Sequence, residues 1–149
     1  MAETVSPQLW DYFTEGLECW NRDELDVMQG MYAEDAVFDV SAVFPDVPPM
    51  RGHRDMRRYW EELRETWDGI RQDPIDAVDL GNGRYVVDVR LWGKGRRSGV
   101  EIDQRFAMFY VLGPEDHKVA RAQLFPNMAA AISVAEASGS EAVADRPAP

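Results

Sequence analysis

Four charged residues in the second half of the chain have the types and spacing to do chemistry. Asp88 and Arg90 stand two apart in one strand-like run, and Asp103 and Arg105 stand two apart in the next. A carboxylate can take a proton, and a neighbouring guanidinium can polarise a carbonyl or an epoxide. His53, just after Gly52, is a second candidate, because imidazole titrates near neutral pH and suits general acid–base work. Spacing alone assigns it no carboxylate partner, and the alternative is a residue that merely opens a helix. Asp39 and Tyr12 are further acid or base candidates. His117 lies in a turn beside Glu115 and Asp116 and is expected at the surface. Cys19 is the single cysteine, so no internal disulfide forms, and no Cys/His cluster suggests a metal.

The four charges sit on two arms joined by a Gly-rich turn, Gly93 to Gly99. Side chains alternate along a strand. Tyr85, Val87, Val89 and Leu91 therefore share one face, as do Val100, Ile102, Gln104, Phe106, Met108 and Tyr110. That face is apolar except for Gln104. The charges, with Trp92, Ala107 and Phe109, take the other face. With Asp88 directly opposite Arg105 and Arg90 opposite Asp103, opposite charges meet twice, worth ~0.2–1 kcal/mol per pair. Two readings follow. If this face lines a cavity, it is a paired-charge catalytic site. If the apolar face meets the helices, the charges form a structural network or a dimer surface with Trp92 and Phe109. Burial favours the second.

The rest of the chain supplies cover for the apolar face. Ser6-Pro7 reads as the cap and first position of a helix carrying Leu9, Phe13, Leu17 and Trp20, with Trp10 beside them. Asn21 to Asp23 breaks it. A second helix is expected from Glu24 to Ala33, a strand from Ala36 to Val43, and a proline-rich loop from Phe44 to Met50. A third helix is expected from Arg54 to Trp67. Strands follow over 70–80, the two arms, and 119–125, the first broken by Pro74 and therefore at an edge. Asn127 caps a short helix to Val134, and the Ala, Ser, Gly and Pro composition from Glu136 onward predicts a disordered tail, residues 136–149. The tryptophans 10, 20, 60 and 67 fall at helical spacing and read as core rather than as a ligand cage.

This order predicts one α+β domain over residues 5–135, a curved antiparallel sheet wrapped around helices into a cone. A cone has a mouth and an internal pocket. Its expected ligand wall is Tyr12, Phe38, Val40, Trp60, Gln104, Phe106, Met108 and Tyr110. A net charge of -11 argues against nucleic acid, the longest apolar runs are too short for a membrane span, and no signal peptide opens the chain. A reducing, cytoplasmic compartment fits these features.

Three stretches, Trp20 to Asp26, Met31 to Val37 and Arg51 to Met56, resemble the SnoaL-like and nuclear-transport-factor-2-like superfamily. That group includes ketosteroid isomerase, limonene epoxide hydrolase, polyketide cyclases, dehydratases and proteins without known chemistry. The resemblance implies a cofactor-free acid–base enzyme acting on a small apolar metabolite such as a polyketide or terpenoid, and an open sheet face carrying Trp92 and Phe109 predicts a homodimer. The alternative is a non-catalytic ligand-binding or dimerising protein on the same scaffold. Transferred residue by residue, the isomerase's general base falls at Val40, its tyrosine at Gly16, and its second aspartate at Ala107 or Met108. The hydrolase's Arg-x-Asp is reversed here as Asp88-Val-Arg90, and its second carboxylate falls at Leu124. Neither established site is intact. The discriminating feature is a carboxylate or histidine inside the cone.

Overall fold

The computed structural model describes residues 3–145, with the side chains of the last helix as far as Ala137. In chain order the elements are β1 (Glu3–Thr4), α1 (Pro7–Asn21), α2 (Leu25–Gly30), β2 (Tyr32–Asp39), β3 (Met50–Arg51) and α3 (Gly52–Thr66). Then come β4 (Trp67–Gly81), β5 (Arg84–Gly95), β6 (Glu101–Leu112), β7 (Val119–Phe125) and α4 (Met128–Asp145). The seven strands form one curved, unclosed sheet in the order β1-β4-β5-β6-β7-β2-β3. Pairing is antiparallel except between β2 and β7, which run parallel. The sheet is thus mixed where an antiparallel one was expected. The two strands lie far apart in sequence, so no hairpin dictates their direction.

Local chemistry places the first helix as expected. The Ser6 hydroxyl accepts the Leu9 N–H at 3.2 Å, and Pro7 occupies the first turn where a missing N–H costs nothing. Phe13, Leu17 and Trp20 are buried along one stripe. The side-chain amide of Asn21 then binds the backbone of Gln72 twice, at 2.8 Å each way, fastening the end of α1 to β4. Pro74 sits on the stretch of β4 paired on one side only, because β1 reaches just Val78 and Asp79. Three register shifts bend this 15-residue strand.

The central hairpin differs from its expected register by two residues. The turn closes at Gly95, whose N–H donates to the Val100 carbonyl at 2.8 Å. Gly99, at φ +70, supplies the left-handed residue. Asp88 therefore lies opposite Ala107 and Arg90 opposite Arg105. A shift of two leaves every side chain on its original face. The opposite charges still pair, but diagonally, within reach of long arginine side chains.

Other boundaries move as well. The second helix ends at Gly30 and β2 starts at Tyr32 rather than Ala36. Strand β2 stops at Asp39, whose carboxylate accepts from Ser41 N–H (2.9 Å) and the Ser41 hydroxyl (2.6 Å) in a local turn. At the other end α4 continues beyond Val134 to Asp145, where an unstructured tail was expected. Its alanine-rich run has high helix propensity, and buried Ala131 and Ala135 anchor it. Residues 146–149 of the expected tail lie outside the described residues.

Helices α1, α2 and α3 cover the concave face of the sheet over Val87, Val89, Met108 and Tyr110. Helix α4 covers part of the convex face over Val86, Ala107, Phe109 and Phe125. Phe109 is 1% exposed, so it belongs to this second core and not to an open dimer face. Among the described residues no helix is long and apolar enough to cross a membrane.

Candidate functional site

Between the concave face and its helices lies a cavity of about 470 Å³. Helix α1 contributes one wall through Tyr12, Phe13, Gly16, Leu17 and Trp20, the positions that helical periodicity brings to one side. Helix α3 adds Tyr59, Trp60 and Leu63. Phe38 and Val40 follow from the β2 side, and Gln104, Phe106, Met108 and Tyr110 form the sheet floor on β6. All eight residues expected to form the ligand wall line this cavity. The tryptophans read as core divide: Trp20, Trp60 and Trp67 stand on the wall, and Trp10 packs behind it. The sequence reading missed Tyr32, Gln72, Phe44 and Val47 on the wall. Tyr32 had been placed inside a helix, and the other three lie in a bent strand and a loop without periodicity.

None of the acid–base candidates except Tyr12 reaches the cavity. His53 donates its Nε2–H to the Tyr32 carbonyl at 2.8 Å, leaving Nδ1 to accept from Gln29 at 3.4 Å. It fastens the start of α3 to β2 on the outside of the cone. Asp39 is occupied by the Ser41 turn. Asp88, Arg90, Asp103 and Arg105 lie on the convex face. Arg90 binds Asp103 through two hydrogen bonds of 2.9 and 2.8 Å and lies 5.7 Å from the Trp92 ring. Trp92 in turn donates to Asp73 at 3.4 Å.

The two ion pairs differ in burial. Arg90 and Asp103 are both exposed, whereas Arg105 is exposed and Asp88 is only 6% exposed. Removing Arg105 strands a buried carboxylate, and removing Arg90 frees an exposed one. Arg105→Ala is therefore expected to lower the melting temperature by several degrees, while Arg90→Ala leaves it within about 1 °C. Neither change should alter the affinity of a ligand in the cavity. Equal melting shifts for the two variants would show that burial of Asp88 does not govern the pair.

The polar chemistry inside the cavity is phenolic. The Tyr12 hydroxyl donates to the His117 carbonyl at 3.1 Å, tying α1 to the turn before β7. Burial holds the Tyr12 and Tyr59 phenols above their ordinary value, with Asp116 adding to the effect on Tyr12. Tyr32 and Tyr110 are buried and interact with one another, and burial pushes both phenols up, Tyr32 strongly. All four stay neutral, each with a single proton to donate, and that of Tyr12 is already given to the His117 carbonyl. Among the described residues no acidic, basic or histidine side chain lines the cavity.

The match of the SnoaL-like domain family extends over residues 13–122, most of the chain. The chain belongs to the SnoaL-like family. No protein of curated function matches it by sequence. Solved structures resemble it at low identity and show the same fold. A protein of ketosteroid isomerase-like fold from Catenulispora acidiphila, in complex with trimethylamine, has TM-score 0.68 at 9% identity, covering 89% of this chain and 95% of that one. TerC, co-crystallised with polyporic acid, has TM-score 0.68 at 14% identity, covering 88% and 99%. SalBIII, an epoxide hydrolase/cyclase-like enzyme of pyran ring formation in polyether salinomycin, has TM-score 0.66 at 15% identity, covering 80% and 90%.

Of the positions that the resemblance aligned with catalytic residues, Gly16, Val40, Met108 and Leu124 line the wall, and Ala107 lies in the core under α4.

Proposed function

We propose that this SnoaL-like protein binds a neutral, ring-bearing, apolar small molecule in the cone. The observation that carries the reading is the wall itself: aromatic and aliphatic throughout, with phenols and two glutamines as its side-chain hydrogen-bonding groups besides the indoles. A charged ligand would lose its hydration there without meeting a counter-charge. Ring-bearing ligands fit because aromatic faces and edges stack favourably. The acid–base enzyme reading needs a carboxylate or histidine inside the cone, and that feature is missing among the described residues. A second reading keeps catalysis: a substrate that brings its own nucleophile and electrophile, as in ring closure, needs orientation and neutral donors more than an ionised base. The phenols favour it, and the fold of SalBIII is the same. Pairing of two copies would use the convex surface that α4 leaves open around Trp92, which is 39% exposed.

Gly16 supplies the test. A Cβ there meets only the flexible end of Met31, at 3.6 Å. Gly16→Ala is expected to stabilise the helix by about 0.5–1 kcal/mol. Gly16→Leu keeps that helix but extends into the cavity. With Nile red as a neutral polycyclic probe, the leucine variant should bind more than about tenfold more weakly at undiminished melting temperature. Unchanged Nile red affinity in Gly16→Leu would overturn the cavity as the binding site.

A further inference from the structure

We propose that Gln72 and Gln104 form an amide pair at the cavity's mouth that selects ligands with a neutral polar head, one that both donates and accepts hydrogen bonds. The inference rests on the binding reading above and gives the ligand an orientation, head outward and rings inward. In the sheet register Gln72 on β4 faces Leu91 on β5, and Leu91 faces Gln104 on β6. Cross-strand partners project from the same face of a sheet, and all three residues line the cavity. Both glutamine side chains therefore leave the sheet on the concave side. Neither is sealed. Gln104 is exposed, which marks the mouth, and Gln72 is half-buried. Among the described residues the sealed side-chain polar atoms without a partner are those of Thr14 and Trp20, so both amides stay within reach of a ligand. Neither amide is hydrogen-bonded to another described side chain or backbone group, because the bonds at Gln72 go through its backbone.

The surroundings of the pair set its chemistry. The rows before and after it on the floor are apolar, Gly93 with Ile102 and Val89 with Phe106. Neighbouring strands lie about 4.8 Å apart, so the two glutamine Cα atoms stand roughly 10 Å apart across Leu91. A planar head lying over Leu91 is then met by a flexible amide from each side. Gln72 is also held in place, since the Asn21 side chain at the end of α1 binds its backbone N–H and carbonyl at 2.8 Å each. Each amide offers an N–H donor and a carbonyl acceptor. No charged side chain stands on this row, so an ionised head would give up hydration without meeting a counter-charge. The head that fits is a carboxamide, a lactam or a hydroxyl.

Two probes of like shape test this: biphenyl-4-carboxamide, and 4-isopropenylbiphenyl, whose head has no hydrogen-bonding atoms. Gln72→Met and Gln104→Met each remove one amide at nearly constant side-chain length. Each change should weaken the carboxamide about fivefold, and the double variant should weaken it more than about twentyfold. The hydrocarbon should move less than about twofold in all three. In nitrogen-resolved NMR of the whole chain, the side-chain amide signals lost in the two variants belong to Gln72 and Gln104. The carboxamide should shift both in the unaltered protein, and the hydrocarbon should leave them nearly in place. If Gln72→Met does not fold, Gln104→Met and the signals of the unaltered protein decide. Equal losses of the two probes in the double variant, or binding of the carboxamide with both amide signals unmoved, would overturn the amide pair and leave the pocket reading intact. Binding of the hydrocarbon without the carboxamide would do the same. If the unaltered protein binds neither probe, the pocket reading falls and this inference with it.

Discussion

Trp60→Ala is expected to cost about 3–5 kcal/mol of stability, the range for truncating a large buried aromatic residue. Trp60 is 2% exposed and packs edge-on against Tyr32, with ring centroids 5.3 Å apart, and against Phe38, at 6.0 Å. These contacts tie α3 to β2, so the loss reaches past one side chain. The site is already beside a cavity, and its walls cannot collapse to fill the new space without releasing α3 from the sheet. Urea denaturation at neutral pH measures the cost. Tyr59→Phe, one residue earlier on the same wall, changes only a hydroxyl and should cost under about 1 kcal/mol. A Trp60→Ala loss as small as that of Tyr59→Phe would show that α3 is held elsewhere.

Alkali should destabilise the protein steeply, through the same cavity. The Tyr32 and Tyr110 phenols are held above their unfolded value of about 10, chiefly by burial. Below pH 10 both the folded and unfolded chains keep these protons, and the stability they protect is fully present. As pH rises above 10 the unfolded chain releases them and the folded chain does not, so stability falls. Each fully retained proton contributes about 1.4 kcal/mol of loss per pH unit, so the pair approaches about 3 kcal/mol per unit. Tyr12, Tyr59 and Tyr85, less buried, act in the same direction. Denaturation curves at pH 9, 10 and 11 give the slope, and phenolate absorbance should appear with unfolding rather than before it. Replacing Tyr32 and Tyr110 together by phenylalanine should remove most of the slope. Early, reversible ionisation of these two residues in the folded protein would contradict their burial.

The wall of the cavity was legible where a repeat exposes it. Phe106, Met108 and Tyr110 share a face because strands alternate, and Tyr12 and Trp20 share one because helices repeat near every four residues. Gln104 stood out as the polar residue on an otherwise apolar face, and it lines the cavity. Tyr32 was not legible. Its position depends on β2 beginning directly after Met31 and lying parallel to β7, an arrangement that brings together residues nearly ninety positions apart. The charged residues misled for a related reason. Asp88, Arg90, Asp103 and Arg105 are chemically the most active types on the hairpin, but chemical type does not say which face the helices take.

From the sequence alone came the order of the elements other than the two-residue strands β1 and β3, the Ser6 cap, the two faces of the hairpin and the pairing of its opposite charges. These are local or parity properties, set by side-chain period and turn chemistry over a few residues. The tertiary structure decided the register, the covering of Phe109 by α4, and the volume of the cavity together with the wall residues that periodicity did not reveal. Register depends on where the turn closes, and Gly95 rather than Gly93 makes that bond. The cavity is the space left where three helices do not fill the curvature of a seven-stranded sheet. That volume is a difference between large packed shapes, and no stretch of the chain carries it.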